Sequence, residues 1–140
     1  MELKVLLKKT GSVEAMARIL VIEDNPSNFK LFEMILKSSG YQVLWAKNGQ
    51  EGFAFALEGQ SALILLDVSL PVIDGFEVVR RLKVDERTAR TPIVVVSAQA
   101  MQEDIQKAMA LGVEGYITKP YRYKELLETI GRFLGQGGNQ

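Results

Sequence analysis

"LILLDVSLPVIDG", residues 63–75, runs four apolar residues into an acid and then turns away through a proline. An unbroken apolar run of that length, with no alternation toward water, reads as a strand covered on both faces, as in a parallel sheet. Such a strand ending in a carboxylate, Asp67, raises the question of which other charges meet it. Four more short apolar runs fit the same description, at 19–22, 43–46, 93–96 and 116–118. Between them the apolar residues fall at helical spacing. The stripes are Phe29, Phe32, Ile35 and Leu36; then Phe53, Ala56 and Leu57; then Phe76, Val79 and Leu82. Ile105, Ala108 and Met109 follow, with Gly112 placed to end the helix, and Tyr123, Leu126, Leu127, Ile130, Phe133 and Leu134 close the series. Strand and helix alternate five times. This predicts a doubly wound α/β domain, a five-stranded parallel sheet with right-handed crossovers and five helices on its two faces.

The 140 residues suffice for one domain with a sizeable core. The expected organisation is an N-terminal extension or upstream start over residues 1–16, the domain over 17–135 and a flexible tail over 136–140. Seventeen basic residues balance seventeen acidic ones, so net charge gives no reason to bind nucleic acid directly. No apolar run approaches the roughly 18–20 residues that span a bilayer, so no membrane insertion and a cytoplasmic location are expected. Cysteine and histidine are both absent. That excludes disulfides, thiolate metal sites, the commonest general base and any phosphohistidine carried by this chain.

In parallel α/β sheets the ligand site lies at the carboxyl ends of the strands. Glu23 and Asp24 follow the first strand, Asp67 the third, Ser97 the fourth, and Lys119 and Pro120 the fifth. The second contributes nothing obvious, which suits an edge. Each group has a plainer use: Glu23 or Asp24 could cap the first helix beside Asn25 and Pro26, Ser97 could form a turn, and Lys119 could be a solvated surface charge. Together they mean more. Clustered carboxylates repel unless a cation intervenes, and an all-oxygen donor set favours magnesium. A hydroxyl and an ammonium nearby suit a phosphoryl group. The chemistry that fits is phosphoryl transfer onto Asp67, with positioning and electrostatics supplied by Ser97 and Lys119.

The stretches "ILVIEDNPSNFKLF", "LILLDVSLPVIDGFEVVRRLK", "PIVVVSAQA" and "GYITKPY", in this order and spacing, resemble the receiver domain of bacterial two-component response regulators, of the single-domain, chemotaxis-regulator-like type. The likeness covers about residues 17–135. It implies a flavodoxin-like fold with strand order 2-1-3-4-5. It makes Asp67 the phosphoacceptor, Glu23, Asp24 and Asp67 the Mg2+ ligands with the backbone carbonyl of Ser69, and Ser97 and Tyr116 the switch pair. It also implies a cis bond between Lys119 and Pro120. Ser97 stands where the family more often has threonine, and Ser69, Ala98 and Gln99 depart from the commonest pattern. The implied donor is a sensor histidine kinase or a histidine phosphotransfer protein, approaching along the first helix and the loop after Lys119. The implied output is a downstream protein target, met by the fourth helix, fifth strand and fifth helix over residues 98–134, the surface through which a homodimer would also form. Such a chain would be no turnover enzyme beyond accepting and hydrolysing its own phosphoryl group. The rival readings are a magnesium-dependent phosphohydrolase, a binding module that keeps the fold without phosphorylation, and a fragment of a hybrid kinase or transcription factor.

Overall fold

Residues 17–68, 74–99 and 101–134 are described by a computed structural model. Its strands are β1 (Arg18–Ile22), β2 (Gln42–Ala46), β3 (Leu63–Leu66), β4 (Ile93–Ser97) and β5 (Gly115–Thr118). They form one parallel sheet in the order β2-β1-β3-β4-β5, the order expected. The helices α1 (Pro26–Ser38), α2 (Gly49–Leu57), α3 (Gly75–Val84), α4 (Gln102–Ala110) and α5 (Tyr123–Leu134) alternate with them.

Because side chains alternate across a pleated strand, each central strand feeds two cores. Leu20, Ile22, Ile64, Leu66, Ile93 and Val95 pack with Ala56, Val78, Val79, Leu82 and Ala108 of α2, α3 and α4. Ile19, Val21, Leu63, Leu65, Val94 and Val96 pack with Phe29, Phe32 and Leu36 of α1 and Leu126 and Ile130 of α5. The chain moves one way from β1 to β2 and the other way thereafter. With crossover hand fixed, that reversal puts α1 on the face opposite α2, α3 and α4.

Local chemistry sets the helix ends. Asn25, Asn48 and Asp74 cap α1, α2 and α3 by accepting from Asn28, Glu51 and Phe76 amides, and Pro26 fills the first turn of α1. Gly112 takes φ +102° after α4, the left-handed stop its position predicted. At the amino end of the sheet Lys83 Nζ lies 3.0 Å from Glu114 Oε2, while Glu114 Oε1 accepts the Ile93 amide at 2.8 Å. This ties α3 to the starts of β4 and β5. Among the described residues no helix is long and apolar enough to cross a membrane.

Three helix stripes differ from expectation. In α2 the buried positions are Gly49, Gly52 and Ala56, with Phe53 and Leu57 only half-buried. A Cβ on Gly52 would lie 2.4 Å from Ile22 Cδ1, so this helix sits too close to β1 for larger side chains to lie between them. Met109 is 48 % exposed because the buried line of α4 is narrow, with Ala108 its one buried residue and Ile105 half-buried, and the position one step round from Ala108 faces out. Tyr123 is 66 % exposed at the first residue of α5, ahead of the buried line Leu126, Thr129 and Ile130.

Gly75 starts α3 so close to the preceding loop that a Cβ there would be 2.2 Å from Val68 Cα, a backbone atom that cannot rotate away. Gly75→Ala is therefore expected to cost about 3 kcal/mol or more, the upper end of overpacking. Urea denaturation measures it; a loss under about 1 kcal/mol would show that the loop yields freely.

Candidate functional site

Strand order reverses between β1 and β3, and the crevice at such a reversal is where α/β sheets bind ligands. Ile22 and Leu66 are register partners, so Glu23 and Asp67 emerge side by side. The Asp67 amide donates to the Ile22 carbonyl at 3.2 Å. Ser97 ends β4, and Lys119 follows Thr118, its register partner on β5. The Lys119 amide donates to the Ser97 carbonyl at 2.9 Å. The fold thus brings Glu23, Asp67, Ser97 and Lys119 to one rim.

Three of these polar groups are almost free of solvent: Glu23 is 1 %, Asp67 8 % and Ser97 0 % exposed. Lys119 Nζ stands 3.6 Å from Asp67 Oδ2, an ion pair inside the crevice. The Lys119–Pro120 peptide is cis. Asp24 is exposed at the mouth.

Neither Glu23 nor Asp24 caps α1. Asn25 does so, and Glu23 instead turns inward, its Oε2 accepting the Asn25 amide at 3.1 Å and the Asn28 side-chain amide at 3.5 Å. Its Oε1 is buried without a partner. Burial pushes the Glu23 carboxyl up to about 7, and the charge of Asp67 adds to the rise; the Asn25 amide, Lys119 and Asn28 oppose it. A buried, unpartnered carboxylate oxygen beside a second carboxylate is an arrangement that a hard cation completes. Among the described residues no three acids are gathered into a ready cage. Magnesium does not require one, since it commonly takes one or two carboxylates and keeps several waters. Ser69 lies outside the described residues.

Beyond β4, Ser97 Oγ accepts the Gln99 amide at 3.0 Å, so the hydroxyl shapes a turn and keeps its own proton to donate. The Tyr116 hydroxyl donates to the Gln99 carbonyl at 2.8 Å, linking β5 to the same turn. Burial raises the Tyr116 phenol and the nearby Ser97 hydroxyl opposes the rise. Ala98 and Gln99 are both exposed. An apolar groove of about 440 Å³ runs beside Lys119, between α1 and the start of α5, with Leu31, Phe32, Ile35 and Tyr121 in its walls.

One neighbour of the site was missed in the sequence. Trp45 of the edge strand donates its indole N–H to the Glu23 carbonyl at 2.7 Å and stacks on Phe29 at 4.4 Å. Its signal, a lone tryptophan in an edge strand, does not by itself distinguish a core residue from a residue serving the site.

A doubly wound sheet with acids, hydroxyl and lysine at this rim is the frame of a class of signalling domain. The chain belongs to the response regulator receiver domain family, whose model matches residues 19–131. The polar-differentiation response regulator DivK of Brucella anthropi is 38% identical over 117 residues, covering 84% of this chain and 95% of that protein. Among solved structures, the receiver domain of a sensor histidine kinase from Pseudomonas aeruginosa, with a magnesium ion coordinated in the active site cleft, superposes with TM-score 0.79 at 34% identity, covering 85% of this chain and 98% of the other. A chemotaxis response regulator of Vibrio cholerae matches with TM-score 0.79 at 31% identity, covering 84% and 98%. Receivers are signalling modules of two-component systems rather than turnover enzymes.

The Glu23 carboxyl allows a sign-specific prediction. In the metal-free folded protein it holds its proton to about pH 7, against 4.5 ordinarily. A raised carboxyl contributes stability that is full below the ordinary value and is lost as pH rises through the folded value. At 1.36 kcal/mol per pH unit the interval from 4.5 to about 7 corresponds to roughly 3 kcal/mol. Glu23→Gln should flatten this part of the stability profile, followed by urea denaturation with chelator present; an unchanged slope would assign the pH dependence to another group.

Proposed function

We propose that this receiver accepts a phosphoryl group on Asp67 and converts it into a changed protein-binding surface. The observation that carries this reading is the Lys119 ammonium 3.6 Å from Asp67 Oδ2, at the end of a buried strand. An ammonium so placed can follow negative charge from the carboxylate to a phosphoryl oxygen without leaving the crevice.

Glu23, Asp24 and Asp67, with the backbone carbonyl of Ser69, would hold Mg2+, which supplies positive charge between the nucleophile and the incoming phosphoryl group when bound. A carboxylate oxygen of Asp67 attacks phosphorus in line, the donor's bond to phosphorus breaks, and the donor keeps the electron pair. Lys119 then binds one equatorial oxygen and the Ser97 hydroxyl donates to another. These 140 residues hold no histidine, so the phosphoryl group would be supplied from beyond them, by a sensor histidine kinase, a histidine phosphotransfer protein or a small phosphodonor. Attack by water on the aspartyl phosphate returns the domain to its starting state.

Drawing Ser97 toward phosphate disturbs the turn that Ser97 Oγ and the Tyr116 hydroxyl both brace through Gln99. The bias passes to α4, β5 and α5, where Met101 and Tyr123 are exposed to a protein target or to a second copy. The magnesium-bound kinase receiver and the response regulator DivK among this chain's relatives support the reading by analogy.

Incubation with acetyl phosphate and Mg2+ should add one phosphoryl group per chain by intact mass, and none to Asp67→Asn. Lys119→Met is expected to slow labelling by about 10²-fold, the scale of losing one charge-stabilising donor. Ser97→Ala should still be labelled while the amide shifts at Tyr116 stay at their unmodified positions. Label surviving in Asp67→Asn would move the acceptor elsewhere, and an unlabelled wild type would favour a receiver that binds without phosphorylation.

A further inference from the structure

Trp45 lies on β2, the edge strand of the sheet. Its indole donates to the Glu23 carbonyl at 2.7 Å, while the Glu23 amide donates to the Ala46 carbonyl at 3.0 Å. Both main-chain polar groups of Glu23 therefore face β2. β3 flanks β1 on the other side. Across a trans peptide the next N–H points opposite to the carbonyl. Holding the Glu23 carbonyl toward Trp45 thus turns the Asp24 N–H to the side where Asp67 stands. The indole is itself held, stacked within 4° of parallel on Phe29 with Lys47 Nζ 5.3 Å from its ring centre. One side chain links the edge strand, the first turn of α1 and the peptide between the two acids.

We propose that Trp45 is a positioning residue for the acid pair: its N–H fixes the Glu23–Asp24 peptide, so the carboxylates are ordered for a divalent cation before one arrives. This rests on the magnesium reading above. Ordering done in advance is not charged to binding. Loss of one such hydrogen bond corresponds to a roughly three- to tenfold weaker affinity.

The test compares wild type, Trp45→Phe, which keeps a ring for Phe29 but loses the N–H, and Phe29→Leu, which loosens the stack but keeps the N–H. Mg2+ alone is titrated against the folded proteins and followed by amide chemical shifts. Trp45→Phe should bind Mg2+ three- to tenfold more weakly, and Phe29→Leu within about twofold of wild type. The sole tryptophan gives one indole N–H resonance, which should move with the same midpoint as the Glu23 and Asp24 amides. Without metal, the Glu23 amide should exchange with solvent faster in Trp45→Phe. Equal affinity in wild type and Trp45→Phe, a stationary indole resonance, or equal weakening by Phe29→Leu would overturn the positioning role while leaving the magnesium site intact. A wild type that binds no Mg2+ would remove both.

Discussion

Glu23 and Asp67 stand at the ends of adjoining strands whose apolar side chains exclude water, so each carboxylate feels the other through a poorly screening medium. Much of the local architecture answers that repulsion. Lys119 is drawn in from β5 to pair with Asp67, and the Asn25 amide turns back to Glu23. Glu23 rises to about 7, because desolvation outweighs the hydrogen bonds that favour its charge. Asp24 is exposed at the mouth. The rim thus gathers more carboxylates than cations, with Lys119 the ammonium paired to Asp67.

The two ends of the sheet differ in kind. At the amino end, Lys83 and Glu114 are matched in charge and bonded to the backbone of the Ile93 strand and the loop before it, with Lys83 Nζ also reaching the Thr91 carbonyl at 3.4 Å. At the carboxyl end the charges are unequal, and beside the Lys119–Asp67 ion pair and the main-chain bonds between strand ends there are single side-chain bonds to a turn, such as Tyr116 to Gln99.

Much of this was legible in the sequence because it depends on periodicity and strand ends. Unbroken apolar runs marked the strands, and the residue after each run marked the rim, which is why Glu23, Asp67, Ser97 and Lys119 could be named together. What escaped notice depends on distances between elements. Gly52 and Gly75 each mark a contact too close for a Cβ, which no periodicity reports. Met109 looked like a core residue, because its spacing to Ile105 could not reveal that α4 touches the sheet through Ala108. Trp45 was invisible as a site residue because its partner is a backbone carbonyl, and backbone groups leave no trace in a residue pattern. The cap that either acid could have supplied is Asn25, while Glu23 Oε2 accepts the Asn25 amide instead.

The thin attachment of α4 has a consequence for how the molecule comes apart. Only Ala108 of that helix is fully buried, and Met101 precedes it without a side-chain cap. Such an element belongs to the low end of a protein's range of local stabilities and can open while the strands beneath it remain paired. Substitutions on its exposed outer face, at Met109 for example, should therefore cost the fold little.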